Sequence, residues 1–483
     1  MLPPDVQAYR LMRAGRLADA LPFAEQAVAG SARCLPAHGL LATLLLQLGR
    51  ANEAEAVVCR ALEGQPGSAD AYDALAHVSL LLGRHERSNA LYRKVVEMAP
   101  GEARFWYNFA CSERSVGRLV QAESACDCAI ALDATHYASY LLRSELRVQS
   151  SESSHIAQLQ SQLSRPDLPA PARVPLGYAL AKELDDLGRF DEAFHWFAQA
   201  AGARRRQLAY DVSVDERKLA RIREVFPQEP LRNELVGVDS SRFIFIIGLP
   251  RSGTTLLEHI LTGLTGVRSN GETDNFSRAL IAAAPAGAED IFSRAAQASP
   301  QQVARHYVRL AAGAAAAEKI VEKMPLNYLY LGAIRRALPR ARVLLVTREP
   351  LDSCFAMYRT LFAAAYPFSY DFEDLARYYA AFARLIQHWR ECFEDSLQAV
   401  SYEELVKDPQ RIGAQVAHYC GLDWKADAID VHRSASVSLT ASAAQIRRPI
   451  YGSSSGRWHH YHSHLAPLIE ALRRRAVSLP ADA

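Results

Sequence analysis

The residues with the clearest chemical potential lie in one short stretch, RFIFIIGLPRSGTTLL at 242–257. Its apolar part, FIFII, is typical of a strand buried on both faces of a parallel sheet, and TTLLEHILTGL has helical spacing. A strand, a glycine-containing loop and a helix in this order form a phosphate-binding loop, because the N–H groups at a helix N-terminus attract an anion. The stretch therefore predicts an anion site on an α/β fold.

The loop departs from the nucleoside-triphosphate pattern GxxxxGK[ST] at one position. Gly248, Gly253 and Thr255 hold the outer positions, but Thr254 stands where the lysine is expected. That lysine serves the β- and γ-phosphates, so its absence disfavours magnesium-ATP or magnesium-GTP. Arg251 supplies a cation inside the loop, where it can hold an oxygen between a phosphate and a small transferable group. A nucleotide kinase with magnesium-dependent ATP binding is the alternative for the loop alone.

The segment PRSGTT at 250–255 resembles the 5′-phosphosulfate loop of sulfotransferases that use 3′-phosphoadenosine-5′-phosphosulfate (PAPS). Its arginine makes it similar to the tyrosylprotein type, whereas the cytosolic steroid and phenol enzymes have a lysine there. The resemblance implies PAPS as co-substrate and no metal. It also implies cofactor contacts from Arg251, Ser252, Gly253, Thr254 and Thr255.

Two further segments resemble the catalytic part of the same family. SNGETDNF contains Glu272, which matches the general base of tyrosylprotein sulfotransferases. VEKMPLNYLYL contains Lys323, which matches the lysine that stabilises charge on the transferring group. Sulfuryl transfer needs a base near the acceptor hydroxyl and cations near the developing charge. The resemblance therefore implies Glu272, Arg251 and Lys323 as catalytic residues.

The segment ARVLLVTREPLDSCFAMYRTLF resembles the 3′-phosphate-binding part of the family, and Arg348 would grip that phosphate with its planar fork of donors. The family places a serine eight residues later, where this chain has Ala356, so one expected contact is missing. Ser353 and Arg359 are candidate substitutes. SYEELVKDP resembles the tyrosine–acidic–x–leucine segment of the family and places Tyr402 near the nucleotide.

The stretch RRPIYGSSSGRWHHYHSHLAPLIEAL resembles the closing loop of the family, which wraps the cofactor and excludes water. It supplies Ser455, Arg457 and Trp458 as candidate cofactor-binding residues. Tyrosylprotein enzymes have a serine two residues before this tryptophan, where this chain has Gly456, so Ser455 is a substitute. The histidines within 459–464 suit a metal by composition, but the matched segment accounts for the region, and no metal site is predicted.

The first third of the chain repeats every 34 residues. Glycine–arginine pairs begin at positions 15, 49, 83 and 117, and Ala42, Ala76 and Ala110 keep the same register. Glycine suits the turn between two helices, and small residues let the helices approach closely. This is the period of tetratricopeptide repeats, which stack because no single helix pair can bury its apolar face. A fifth copy, with Gly188, follows a polar and proline-rich interruption.

These patterns predict three parts. Residues 1–207 form a tetratricopeptide array, with four repeats in register over 1–136, an insert and a fifth repeat at 174–207. Residues 208–240 form a helical connector, and residues 241–483 form a PAPS-dependent sulfotransferase domain. The predicted fold class is α/β: an all-α tetratricopeptide solenoid followed by a P-loop-like domain whose central parallel sheet is flanked by helices.

Composition narrows the class of protein. Of 483 residues, 49% are hydrophobic and 22% are charged, and a net charge of +2 gives no support for nucleic-acid binding. The apolar runs are too short to span a membrane and no signal core opens the chain, so we expect a cytoplasmic protein. The eight cysteines form no CxxC pair, and we expect buried thiols instead of disulfides or metal ligands.

The sequence thus predicts a sulfotransferase of the bacterial tetratricopeptide type, related to tyrosylprotein sulfotransferases. It would move a sulfuryl group from PAPS to an acceptor hydroxyl on a peptide, carbohydrate or small molecule, with a peptide tyrosine as one candidate. The alternative, motivated by Ala356, is a non-catalytic interaction protein with a degenerate sulfotransferase domain. The array suits a protein partner or a scaffold or dimerisation role, and the oligomeric state stays open.

Overall fold

The computed structural model describes residues 2–30, 35–227, 238–285, 290–311, 317–362, 364–393, 396–430, 450, 452 and 454–480. These residues divide into two compact units. The first ends at Val148, and the second begins at Gln149. Each unit has its own core, so each is treated separately below.

The first unit is built from antiparallel helix pairs. A glycine with positive φ ends each first helix, at +73° for Gly15, +78° for Gly49, +73° for Gly83 and +84° for Gly117. Only a residue without Cβ adopts this conformation readily, which explains the glycine at every 34th position. The helices are α1 (Pro4–Arg13), α2 (Leu17–Gly30), α3 (Leu35–Gln47), α4 (Ala51–Glu63), α5 (Ala69–Leu81), α6 (His85–Met98), α7 (Ala103–Ser115), α8 (Leu119–Leu132) and α9 (Tyr137–Glu145).

Small residues bring the helices of this array close together, as the register predicted. Ala42, Ala76 and Ala110 are all fully buried. The array also buries a polar cluster around Glu113 of α7, which accepts a hydrogen bond from Asn89 Nδ2 at 2.9 Å. The partner of Glu113 thus comes from another helix of the same array.

Four helices open the second unit: α10 (Ile156–Leu163), α11 (Arg173–Asp186), α12 (Phe190–Arg206) and α13 (Val212–Val225). The pair α11 and α12 has the form of a fifth repeat, with Gly188 at φ +72° between its helices. It packs within the same unit as the sheet described next. The domain boundaries at 207 and 240 stay predictions, and residues 228–237 of the predicted connector lie outside the described part of the chain.

A parallel sheet forms the centre of the second unit. In the described residues it has five strands in the order β2-β3-β1-β4-β5. All strand pairs are parallel, with Ile246 beside Lys323 and Gly248 beside Val346. The first strand is buried throughout, as its continuous apolar sequence predicts. The strands are β1 (Phe243–Gly248), β2 (Val267–Ser269), β3 (Lys319–Lys323), β4 (Arg342–Thr347) and β5 (Leu397–Ser401).

Helices flank this sheet and complete the unit. They are α14 (Thr254–Thr262), α15 (Asn275–Ala283), α16 (Ile291–Gln297), α17 (Pro300–Ala311), α18 (Leu331–Ala337), α19 (Pro350–Tyr358), α20 (Phe372–Phe393), α21 (Tyr402–Lys407), α22 (Pro409–Cys420) and α23 (His462–Arg473). Within the described ranges, no helix has the length and apolarity needed to cross a bilayer. The predicted fold class, a helical repeat region followed by a parallel α/β domain, is confirmed.

Candidate active site

Most of the predicted site residues lie at the carboxyl ends of the strands. The phosphate-binding loop follows β1, Glu272 lies three residues after β2, and Lys323 is the last residue of β3. Arg348 follows β4 directly, and Tyr402 follows β5 directly. Parallel strands end at one edge of a sheet, and ligands of open α/β folds bind there. Residues far apart in sequence therefore share one crevice.

Two glycines shape the phosphate-binding loop. A Cβ on Gly253, which has φ +104°, would lie 2.4 Å from Cδ2 of Tyr402, and a Cβ on Gly248 would lie 2.6 Å from the carbonyl oxygen of Val346. Between them, Arg251 adopts a left-handed conformation with φ +64°. A non-glycine residue in this region costs about 1–3 kcal/mol and is typical of functional sites. The loop is thus held in a strained form directly before α14.

Ser252 shows that this loop fits an anionic group. It is only 1% exposed, and its Oγ has no hydrogen-bond partner in the described part of the chain. A buried hydroxyl without a partner costs about 1–3 kcal/mol. A phosphate or sulfate oxygen would satisfy this hydroxyl, and the N-terminus of α14 favours negative charge at the same place.

Lys323 lies between two carboxylates. Its Nζ is 2.5 Å from Oε1 of Glu272 and 3.5 Å from Oε2 of Glu258. The lysine side chain is 1% exposed, whereas that of Glu272 is 40% exposed. Glu258 of α14 is buried and also accepts a hydrogen bond from Ser269. The exposed carboxylate can reach a substrate, while the buried one fixes the ammonium from the other side.

Arg348 joins the phosphate-binding loop to the C-terminal part of the site. Its guanidinium donates to the carbonyl oxygen of Arg251 at 3.0 Å and to that of Ser454. It also lies 4.8 Å from the ring centroid of Tyr402 and 3.9 Å from Asp352. Its Nε has no hydrogen-bond partner in the described ranges. Arg348 and Tyr402, predicted from separate segments, are therefore in contact beside the loop.

Residues 454–461, here called the closing segment, are held by Asp352 in the first turn of α19. Its carboxylate accepts hydrogen bonds from the backbone N–H of Gly456 at 2.5 Å and of Trp458 at 3.3 Å. Trp458 is buried, and the N–H of Ser455 donates to the carbonyl oxygen of Gly452. Positions 447–449, 451 and 453 of the predicted closing loop lie outside the described residues.

Three residues on or directly after α19 were considered in the sequence analysis for contact with a 3′-phosphate. Ala356 is buried on α19 and has no donor to offer. Arg359, a candidate substitute, is held by Asp185 at 2.8 Å, and Arg457 is held by the same carboxylate at 2.6 Å. Ser353, the other candidate, is buried in α19.

Two of the histidines near the C-terminus pack against aromatic rings of α12. His460 stacks on Phe190 with centroids 4.4 Å apart, and His464 stacks on Phe194 at 4.5 Å. His464 also pairs with Asp191 at 2.7 Å. In the described ranges, no group of three or more His, Cys, Asp or Glu side chains has the arrangement of a metal site.

Glu322 is a buried carboxylate that the sequence analysis did not single out. It accepts hydrogen bonds from Thr273 Oγ1 at 2.6 Å, Asn270 Nδ2 at 3.1 Å and Tyr307 Oη at 3.3 Å. Burial raises its pKa, and these donors oppose the shift. The last two residues of β3 therefore hold the loop around Glu272 from opposite faces. A charged residue inside the otherwise apolar strand was the available sequence signal.

Comparison with known proteins agrees with this architecture. Residues 243–426 match the model of the Sulfotransferase family, and residues 11–78 and 69–102 match tetratricopeptide repeat models. These matches confirm the predicted resemblance to sulfotransferases that carry tetratricopeptide repeats. They support a sulfotransferase enzyme in general.

One curated relative has low sequence identity to this chain. An uncharacterized protein of Aquifex aeolicus (strain VF5) is 26% identical over 375 residues, which cover 74% of this chain and 49% of that protein. This chain thus spans about half the length of the relative.

Solved structures similar to this chain include both kinds of fold. The sulfotransferase domain of the Synechococcus PCC 7002 olefin synthase is 18% identical with a TM-score of 0.36, covering 49% of this chain and 95% of its own. The sulfotransferase domain of the curacin biosynthetic pathway is 16% identical with a TM-score of 0.35, covering 49% and 98%. YrrB, a tetratricopeptide protein with an unusual peptide-binding site, is 16% identical with a TM-score of 0.26, covering 39% and 87%.

Proposed function

We propose that this chain transfers a sulfuryl group from PAPS to an acceptor hydroxyl, which gives a sulfate ester and releases adenosine 3′,5′-bisphosphate. The observation that carries the proposal is the shared crevice at the strand ends, where the phosphate-binding loop, the Glu272–Lys323 pair and the Arg348–Tyr402 pair meet. The donor, when bound, supplies an activated sulfuryl group. Every other part of the chemistry falls to the side chains of this chain.

The proposed donor contacts divide into two groups. Ser252, Gly253, Thr254 and Thr255 would hold the 5′-phosphosulfate, because the buried Ser252 hydroxyl and the N-terminus of α14 both favour an anion. Arg348 would bind the 3′-phosphate as a charged, planar donor. Tyr402 and the closing-segment residues complete this group: Ser455, Arg457 and Trp458.

Glu272 is proposed as the general base. Only its Oε1 bonds to Lys323, so Oε2 is the oxygen available to accept the proton of an acceptor hydroxyl. Glu258 holds the Lys323 ammonium in place from the other side. Lys323 and Arg251 would then stabilise negative charge that develops on the transferring group.

The acceptor is proposed only as a hydroxyl-bearing compound. A peptide tyrosine is favoured by the match of Glu272 to the base of tyrosylprotein sulfotransferases, and the repeat array suits peptide presentation. Carbohydrate and small-molecule hydroxyls fit the same chemistry. Labelled PAPS incubated with fractionated lysate separates these classes, because a labelled macromolecule and a labelled small molecule are easily distinguished.

Substitution of Glu272 tests the base directly. Glu272→Gln should lower the rate of sulfate transfer by about 10²–10⁴-fold, because a glutamine cannot accept the proton. Binding of adenosine 3′,5′-bisphosphate, measured by calorimetry, should stay within about twofold of wild type. Glu404→Gln, which changes a 61% exposed carboxylate on α21, is the matched control and should leave the transfer rate unchanged. Full transfer by Glu272→Gln would remove this residue from the mechanism.

A non-catalytic role is the second candidate. Two residues considered for contact with the 3′-phosphate favour this role. Ala356 has no side-chain donor, and Arg359 is already paired with Asp185. This alternative predicts that the wild-type chain binds no adenosine 3′,5′-bisphosphate and that Ala356→Ser restores binding. Transfer of labelled sulfate by the wild-type chain would exclude it.

A further inference from the structure

The fifth helix pair lies directly on the helix that follows Arg348. Tyr178 Oη of α11 donates to the carbonyl oxygen of Tyr358, the last residue of α19, at 3.0 Å. Phe197 of α12 packs edge-on against Phe355 with centroids 6.5 Å apart. These rings are buried, so the pair forms part of the core beneath α19. A repeat element therefore supports an element of the candidate active site.

Asp185, near the C-terminal end of α11, links the fifth helix pair to residues of the candidate active site. It is 5% exposed, and its carboxylate pairs with Arg457 at 2.6 Å and Arg359 at 2.8 Å. The hydroxyl of Tyr461 also donates to it. One carboxylate thus contacts the middle and the C-terminal end of the closing segment and the residue that follows α19.

The position of Asp185 in the repeat is unusual. It lies three residues before the turn glycine, and the same position holds Met12, Leu46 and Leu80 in the first three repeats and Arg114 in the fourth. Met12 and Leu46 pack against the core of the array, whereas Arg114 pairs with Glu145 of α9 at 3.7 Å. An acidic residue at this position suits a neighbour that presents guanidinium groups, as α19 and the closing segment do.

Two arginines determine the direction in which the pKa of Asp185 shifts. Burial by itself raises the pKa of this carboxylate, but Arg359 and Arg457 outweigh burial, so its pKa lies below the ordinary value. Removal of a buried partner leaves the remaining charges uncompensated, which is strongly destabilising for the segments that carry them. The closing segment carries Arg457 and Tyr461, so its position depends on Asp185.

We propose that Asp185 is a positioning residue of the donor site and that the fifth helix pair is therefore a structural part of the catalytic unit. It acts by fixing the closing segment, which Arg348 and Asp352 also contact. The effect on donor affinity rests on the proposed function, since the closing segment must line the PAPS site for the affinity to change. The effect on the segment itself does not rest on it.

The test compares two aspartates of the fifth helix pair in the full chain. Asp185 and Asp191 both pair with the C-terminal part, but the side chain of Asp191 is 91% exposed and that of Asp185 is 6% exposed. Asp185→Asn should lower hydrogen-exchange protection of the closing-segment amides at least about tenfold, with β1 and β3 amides unchanged. The Kd for adenosine 3′,5′-bisphosphate should rise at least about tenfold. Asp191→Asn should leave both quantities within about twofold of wild type.

Three results would overturn the proposal. Unchanged protection in Asp185→Asn would show that the carboxylate does not fix the segment. Lost protection with unchanged donor affinity would show that the segment does not position the donor site. Equal losses in Asp185→Asn and Asp191→Asn would show that the effect is not specific to the buried carboxylate.

Two further measurements separate this proposal from folding defects and from the proposed function. Tyr461→Phe removes one hydrogen bond to Asp185 and keeps both ion pairs, so a loss of protection of about two- to fivefold is expected even if Asp185→Asn fails to fold. No change in Tyr461→Phe would count against the proposal. A wild-type chain that binds no adenosine 3′,5′-bisphosphate would contradict the proposed function, while the exchange data would still decide the role of Asp185.

Discussion

The first four helix pairs and the fifth pair share one sequence pattern but use their buried charges differently. In the array of the first unit, Glu113 pairs with Arg93 at 3.3 Å and Arg118 at 3.6 Å, both within the same array. In the fifth pair, Asp185 pairs with Arg359, which directly follows α19, and with Arg457 of the closing segment. A helix pair of this sequence pattern can therefore either stack within an array or support the sheet-containing unit to which it belongs. The partners of its buried charges distinguish these two roles.

The largest expected effect comes from removal of the fifth pair. A chain that starts at residue 149 should fold and bind adenosine 3′,5′-bisphosphate, because the second unit keeps its own core. A chain that starts at residue 208 should be insoluble or unfolded, because Phe355 and Tyr358 lose the rings that cover them. Circular dichroism and calorimetry check both chains.

The opposite outcome is equally informative. A folded, donor-binding chain from residue 208 onward would show that the fifth pair belongs functionally with the first four. Loss of folding in the chain from residue 149 would show that the second unit depends on the array. Either result would break the distinction between the two regions.

Two fully buried phenylalanines give a matched comparison of intermediate size. Phe105 lies in α7 of the first unit and Phe197 in α12 of the fifth pair, and both are 1% exposed. Each change to alanine should lower the free energy of unfolding of its own unit by about 3–5 kcal/mol. Only Phe197→Ala should weaken adenosine 3′,5′-bisphosphate binding. An equal loss of binding in Phe105→Ala would contradict the separation of roles.

Much of the local structure of both regions could be predicted from the sequence. The glycine register predicted the turn conformation of all five pairs, and FIFII predicted the buried central strand, because both depend on local backbone and burial preferences. The family resemblance pointed to Glu272 and Lys323, and the structure places Oε1 of Glu272 2.5 Å from Nζ of Lys323.

The remaining features depend on contacts between distant segments. Asp185 meets arginines at 359 and 457, and Glu322 meets side chains at 270, 273 and 307, so no local spacing reveals either cluster. An aspartate near the end of a helix is usually a solvated charge, and only its burial in the structure indicates a specific role. The acidic residue three positions before Gly188, where the other repeats have an apolar residue or an arginine, is the signal that a comparison of the repeats could have used.

The smallest expected effect concerns pH. The pKa of Asp185 is lowered in the folded chain, so its contribution to stability is complete above the ordinary aspartate pKa of about 3.9 and is lost as the pH falls through the lowered value. Arg359, Arg457, Tyr461 and Asp186 face this carboxylate. The contribution of Asp185 to closing-segment protection, measured as the difference between wild type and Asp185→Asn and corrected for intrinsic exchange, should therefore be flat between about pH 5 and 8. A loss of this difference by pH 6 would contradict the lowered pKa of Asp185.

Nucleotide preference of the full chain tests the central claim most directly. In a calorimetric titration, adenosine 3′,5′-bisphosphate should bind one site per chain without magnesium, and adenosine 5′-monophosphate should bind at least about tenfold more weakly because it lacks the 3′-phosphate. Magnesium-ATP should not compete, since Thr254 stands in place of the P-loop lysine. No binding of the bisphosphate, or preferential binding of magnesium-ATP, would contradict the account.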